Sequence, residues 1–242
     1  LTILSVAQND SITTDDNFFD VRDKPSHRFK LGGAGGFTPR YLFLNTKDLN
    51  IFLAKGKAGQ LSNKGILMYG GEGYGYIMFL KNIRMGGMGA SGTVTTENLL
   101  REFQLDISYG GFFVGYVQPI APRFDIALDV TLGGGEMNLR LWRTNNSKVV
   151  WDDIWTHFGD SLYSENKYSQ QIDGEFYTYQ ISLNIEYAIL EWLGMRVGAG
   201  YVGMTSPEWK LDAKNKIVGF PSSISGKGIS LNFGIFAGFF GD

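Results

Sequence analysis

From Arg28 onward, apolar and polar residues alternate with a period of two over most of the chain, the spacing of β-strands rather than helices. In 102–118 the odd positions Phe103, Leu105, Ile107, Tyr109, Phe113 and Val117 form a greasy face, and the even positions, starting Gln104, Asp106 and Ser108, are mainly small or polar. Segment 124–132 sets Phe124, Ile126, Leu128, Val130 and Leu132 against Asp125, Asp129 and Thr131. After Gly133, Gly134 and Gly135 the apolar residues move to odd numbers (Met137, Leu139, Leu141), which predicts a one-residue bulge at the glycines. Segment 175–189 is the clearest. Tyr177, Tyr179, Ile181, Leu183, Ile185, Tyr187 and Ile189 stand opposite Thr178, Gln180, Ser182, Asn184 and Glu186, with tyrosines at both ends. Segments 193–203 and 228–240 repeat the pattern, and 29–37, 66–80 and 83–94 carry weaker, glycine-rich versions of it.

These segments predict about eight strands, and the lengths between them predict how the strands are joined. Connections 81–82, 119–122 and 190–192 are tight, 95–101 is short, and 38–65, 143–173 and 207–225 are long. Alternate connections are therefore tight, as in an antiparallel up-and-down barrel that keeps its turns on one side of a membrane and its long loops on the other. The fold class expected is an all-β transmembrane barrel of about eight strands. In it, Tyr177, Tyr179, Ile181, Leu183 and Ile185 face lipid, and Gln180, Ser182 and Asn184 face the lumen. No apolar run approaches the roughly 20 residues of a spanning helix, but barrel strands alternate and never produce such a run.

Composition narrows the function classes. A formal net charge of −2 provides no basic excess to neutralise phosphates, which argues against a nucleic-acid partner. With no cysteine, disulfides, thiolate metal sites and a lipoprotein anchor are excluded together. The 33 glycines and 14% aromatic residues suit closely packed strands with rings at the membrane interfaces. Residues 1–7 read like the end of a secretory signal, with small residues before a cut after Ala7; an ordinary apolar segment reads the same way. Domain organisation is expected as an N-terminal periplasmic segment, 1–27, carrying Asp15, Asp16, Phe18, Phe19 and Asp20, followed by the barrel, 28–242.

By strand count, loop asymmetry and the aromatic end Phe239, Phe240, Gly241, Asp242, residues 28–242 resemble the small eight-stranded outer-membrane proteins of diderm bacteria. The terminal aromatic residue is not the last one, which departs from the usual insertion signal of that class. The resemblance implies an outer-membrane location, contact with outer-membrane lipid or lipopolysaccharide, and a choice among adhesins, anchors, small channels and lipid-modifying enzymes that fold alone does not make.

The candidate sites are few, and no catalytic, cofactor or metal residues are assigned. Gly87-Met88-Gly89-Ala90-Ser91-Gly92 spells G-x-G-x-x-G, but poor helix formers follow it; a lumen face of glycines explains it better than a dinucleotide. The stretch 151–161 holds His157 beside Asp152, Asp153, Asp160 and Ser161. This composition would suit a lipid acyl hydrolase or transferase at the rim, but the reading preferred is a surface loop whose Trp151, Trp155 and Phe158 contact a partner. Thr46 to Lys55 reads as a short amphipathic helix capped by Thr46 or Asn45, with Leu49, Phe52 and Leu53 on one face available to a partner, the membrane surface or the barrel mouth. Lys30, Arg84, Asp106, Asp125, Asp129, Glu186 and Arg196 fall on the expected lumen face. With a tight turn at 190–192, Glu186 and Arg196 stand opposite each other as a charge pair. The reading is a non-enzymatic outer-membrane interaction protein whose external loops bind other membrane or surface proteins. The alternatives are the His157 enzyme and a small-solute channel.

Overall fold

In a computed structural model of the chain, residues 31–98, 100–143, 168–205, 207–221, 224 and 226–241 are described. In chain order the elements are β1 (Leu31–Phe37), β2 (Arg40–Leu42), α1 (Lys47–Gly56), β3 (Ile66–Tyr76), β4 (Ile83–Asn98), β5 (Arg101–Ala121), β6 (Phe124–Arg143), β7 (Tyr168–Ala188), β8 (Leu193–Met204), β9 (Glu208–Leu211), β10 (Asn215–Lys216) and β11 (Gly228–Gly241). β1 and β2 keep one register against both β3 and β11, with Phe37 opposite Ile235 and Arg40 opposite Asn232. They are a single barrel strand interrupted at Thr38 and Pro39, where proline has no N–H to give the ladder. That strand, β3 to β8 in order, and β11 pair antiparallel around a ring of eight, closed by β8 on β11 and β11 on β1. The small hairpin β9–β10 lies off the ring, with β9 paired to Ile172–Glu175 of β7 beyond the end of β8.

The eight segments expected from the sequence are the eight ring strands. Several differ in extent, β7 most of all, since it begins at Tyr168 rather than at 175. The connection expected over 95–101 is far shorter, because β4 and β5 pair up to Asn98 opposite Arg101. The turn expected at 81–82 begins earlier, at Ile77, and holds Asn82 in the left-handed region, φ 63°.

The expected bulge at Gly133–Gly135 is absent. β5 and β6 pair without a shift from Arg101 opposite Arg143 down to Pro119 opposite Asp125. Odd residues of β6 point inward along its whole length, from Ala127 and Asp129 to Met137 and Leu139. What changes at the glycines is the surroundings of the strand. Below them Leu128, Val130 and Leu132 are exposed on the outer wall and Asp129 and Thr131 are buried inside. Above them Met137 and Leu139 are buried inside, and Glu136, Asn138 and Arg140 face out. β5 inverts at the same height: Phe112, Val114 and Tyr116 are exposed outside, whereas Phe103, Leu105, Ile107 and Tyr109 are buried inside. The odd face of 102–118 is therefore interior, even though it is the greasier face.

This inversion is the signature of one barrel standing in two solvents. In lipid the outer wall must be apolar and the interior is free to be polar; in water the requirement reverses. On β7 the apolar outer positions run from Tyr177 to Ile185, with Leu183 56% exposed. Nine residues at strand rise and barrel tilt span roughly 23 Å, close to the height of an outer-membrane apolar band. A strand needs only about 9–11 residues to cross such a band, yet β5 and β7 have 21 each. The surplus forms a water-facing extension above the membrane.

Candidate functional site: a sealed interior and a raised mouth

Inside the membrane section, charged side chains from six strands meet. Arg84 (β4) donates from Nε and Nη2 to the Asp129 carboxylate of β6 at 3.0 and 2.7 Å, and from Nη1 to Glu186 of β7 at 2.6 Å. Arg196 (β8) stands in register with Glu186 and donates to it from Nε at 2.7 Å, and it also donates to Glu72 of β3. Glu72 in turn accepts from Arg40 at 3.0 Å, and Arg40 reaches Gln180 at 3.1 Å. Asn184 donates to Asp129 at 2.6 Å and accepts from Asn232 at 3.1 Å. Arg84 is fully buried and Arg196 nearly so. Their guanidinium planes lie over Tyr74 and Phe236, 4.6 and 4.3 Å from the ring centres. Three cations and three carboxylates thus close a ladder in which each charge has a partner, as burial demands.

Two glycines make room for it. A Cβ on Gly115 would stand 1.9 Å from Asp129 Oδ1, and one on Gly198 would stand 1.9 Å from Asn184 Oδ1. The space left among Arg40, Glu72, Asp129, Gln180 and Asn184 is about 10 Å³, no more than one water needs.

Arg84, Asp129, Glu186 and Arg196 are therefore interior, as expected, and Asp125 lies on the same inward phase of β6. Asp106 does not belong with them. It faces outward above the membrane, where it accepts from Thr93 at 2.6 Å and from Gln104 at 2.8 Å, and lies 3.8 Å from Arg140. Lys30 lies outside the described residues. The glycines of the G-x-G-x-x-G spelling sit mid-strand in β4 with no helix after them. Gly87 and Gly89 point outward and Gly92 inward, so the run is not a lumen face either. Two ladder members were missed. Glu72 is the only acid on the inward phase shared by Met68, Gly70 and Tyr74, and alternation alone identifies it. Arg40 follows Pro39 in what reads as a loop.

The mouth is built from the first long connection. α1 starts after Thr46, with Asn45 Oδ1 accepting from the Lys47 amide at 3.2 Å, while the Thr46 hydroxyl pairs with Asn63 instead of capping. The helix stops at Lys57, which takes the left-handed conformation, φ 54°. Asn50 then clamps the returning chain: its Nδ2 donates to the Leu61 carbonyl at 3.0 Å, and its Oδ1 accepts from the Leu61 amide at 2.8 Å. Leu49 and Leu53 are buried in the same cluster as Leu42, Leu61, Phe103 and Ile107, so α1 belongs to the apolar core of the raised section. Leu49 and Leu53 are thereby withdrawn from any partner, because the extension needs apolar filling. Phe52 remains exposed, next to Ile51, with the Lys55 ammonium 5.1 Å from its ring centre. Trp151, Trp155, Phe158 and His157 lie outside the described residues, as do 1–27.

The chain is an outer-membrane β-barrel. The belt of Tyr177, Ile181, Leu183 and Ile185, closed into a ring with no free edge, places it in a membrane. No known protein family matches the sequence, and no curated protein matches it. Among solved structures it is similar to a major outer membrane protein from Thermus thermophilus (9% identity, 86% of this chain and 99% of that one, TM-score 0.47). It is also similar to Ail, the attachment invasion locus protein of Yersinia pestis (8% identity, 88% and 100%, TM-score 0.44). A third is the N-terminal β-barrel domain of Pseudomonas aeruginosa OprF (11% identity, 87% and 98%, TM-score 0.34). Each likeness is one of architecture.

Proposed function

We propose that this barrel is a non-enzymatic surface component of the outer membrane that binds a partner at its raised extracellular mouth. The observation that carries the reading is the polarity inversion. The chain spends about ten residues per strand on β5, β6 and β7 beyond what a crossing requires, and packs α1 into the resulting extension. A rigid stage held clear of the membrane suits presentation, since loops and rims on a fixed scaffold are where binding residues stand. Ile51 and Phe52 on the outer side of a helix anchored by Leu49 and Leu53 are the described residues suited to contact. In this reading Trp151, Trp155 and Phe158 are further anchors. The paired ladder and the space of about 10 Å³ beside it support binding over small-solute conduction.

A photo-crosslinking residue at position 52, in whole cells, tests the reading, with a second at position 183 as the lipid-facing comparison. Position 52 is expected to give discrete adducts of partner mass and position 183 adducts with lipid alone. No adduct at 52 beyond the barrel itself would overturn the proposal. His157→Ala is expected to leave the acylation pattern of the membrane lipids unchanged by mass spectrometry; an altered pattern would favour the lipid-modifying enzyme.

A further inference from the structure

At the mouth, between the C-terminal end of α1 and the tops of β4, β5 and β6, lies a cavity of about 580 Å³ lined by Lys57, Gln60, Asn98, Arg101 and Arg143 among others. Its volume is within the range of sites that hold a small organic ligand. Three cations line it and no carboxylate does. Arg101 and Arg143 are directly opposite each other across β5 and β6, on the inward phase of both strands. Like charges at facing positions repel, and no carboxylate among the described residues pairs with either of them. Arg101 donates to the Gly56 carbonyl at 2.9 Å, and neither Lys57 nor Arg143 has a carboxylate within ion-pair distance among those residues. The acids of the same hairpin, Glu97 and Glu102, are on the outward phase, away from the cavity. The contrast with the interior ladder, where each cation meets a carboxylate, is what marks the site.

We propose that this cavity binds a phosphate- or sulfate-bearing saccharide, an assignment that rests on the surface-binding reading above and gives it a ligand class. Two facing guanidinium groups offer the forked donors that match a tetrahedral oxyanion, and Lys57 adds a point charge. Gln60 and Asn98 bring amides to the same wall, suited to hydroxyl groups. Side-chain amides already hold the walls in place: Asn98 Nδ2 donates to the Lys57 carbonyl at 3.4 Å, and the Asn50 clamp fixes the chain around Leu61. Height selects the source. From Phe112, the uppermost apolar outer residue of β5, to Arg101 is eleven residues, or roughly 28 Å of vertical rise at barrel tilt. The phosphates of the barrel's own lipid leaflet lie far below, so the ligand arrives from outside the cell.

The test is calorimetric titration of the full barrel in lipid nanodiscs with a sulfated disaccharide, a phosphorylated disaccharide and their uncharged parent. Binding of the charged sugars, loss of that binding in 0.5 M salt, and about tenfold or greater weakening in Arg101→Gln/Arg143→Gln are expected. Glu102→Gln, on the outer face of the same hairpin, should bind as the unaltered protein does. Heat-modified gel mobility establishes that each variant is folded. Equal binding of the uncharged sugar, unchanged affinity in the double-arginine variant, or equal competition by an acidic peptide would overturn the proposal. Titrations repeated with lipopolysaccharide in the nanodisc should give the same affinity. A marked drop would mean that the membrane's own sugars fill the site and would overturn the external source. Crosslinking at Phe52 is independent of these arginines, so failure of the site leaves the surface-binding reading separately testable.

Discussion

Arg84→Leu should lower the unfolding free energy by about 3–5 kcal/mol. The guanidinium is fully buried and holds Asp129 at 2.7 Å and Glu186 at 2.6 Å. Removing it leaves two carboxylates in the barrel interior with one cation fewer than they need. Glu186 keeps Arg196, and Asp129 keeps only the Asn184 amide, so the loss falls mainly on Asp129. Reversible urea unfolding in lipid vesicles, followed by tryptophan fluorescence, measures it. Adding Asp129→Asn to Arg84→Leu should recover part of the loss, because the unpaired charge goes with the carboxylate. A single-variant loss below about 1 kcal/mol would mean that the interior is wet enough to solvate the carboxylates, and it would reopen the lumen as a conduction path.

Leu183→Arg should lower stability by about 2–4 kcal/mol in the same assay, since an arginine at the middle of the apolar band is costly and the cost fades towards the interfaces. Leu183 lies within the exposed run of β7, with Ile181 and Ile185 on either side. The same change at Asn138, on the outer wall but above the glycines, should stay within about 0.5 kcal/mol, as exposed substitutions in water usually do. Similar costs at both positions would place the membrane boundary elsewhere.

Most of the fold was legible because its two strongest signals are local. Alternation located the eight ring strands, and loop lengths ordered them. The faces were harder to read. A period-two pattern says which residues share a side but not which solvent that side meets, and in β5 and β6 the answer changes part-way along. The apolar residues move from Leu132 to Met137 across three glycines, which looks like a slipped register, although the ladder between β5 and β6 is continuous there. Asp106 reads as a lumen residue for the same reason: it lies on the polar side of a strand whose polar side, at that height, is the outside. Of the interior ladder, the Glu186–Arg196 pairing was readable from a tight turn and a register. Arg40 was not, because Pro39 disguises the continuing strand as a loop. At the mouth, α1 was visible as an amphipathic helix, but nothing in ten residues says whether its greasy side meets a partner or the barrel's own core. The raised section of strands, which requires filling, decides that for Leu49 and Leu53.

β6 keeps one inward face while its surroundings change from lipid to water at Gly133–Gly135, and a label scan along the strand tests this most directly. The chain has no cysteine, so single cysteines carrying nitroxide labels can be placed from 127 to 140 without background, and their collisions with oxygen and with a water-soluble nickel complex measured in vesicles. Labels at 128, 130 and 132 should meet oxygen, and those at 136, 138 and 140 the nickel complex. Those at 127, 129, 137 and 139 should meet neither. Oxygen contact at 137 and 139, with 136 and 138 shielded, would mean that the strand does slip at the glycines and would contradict the account.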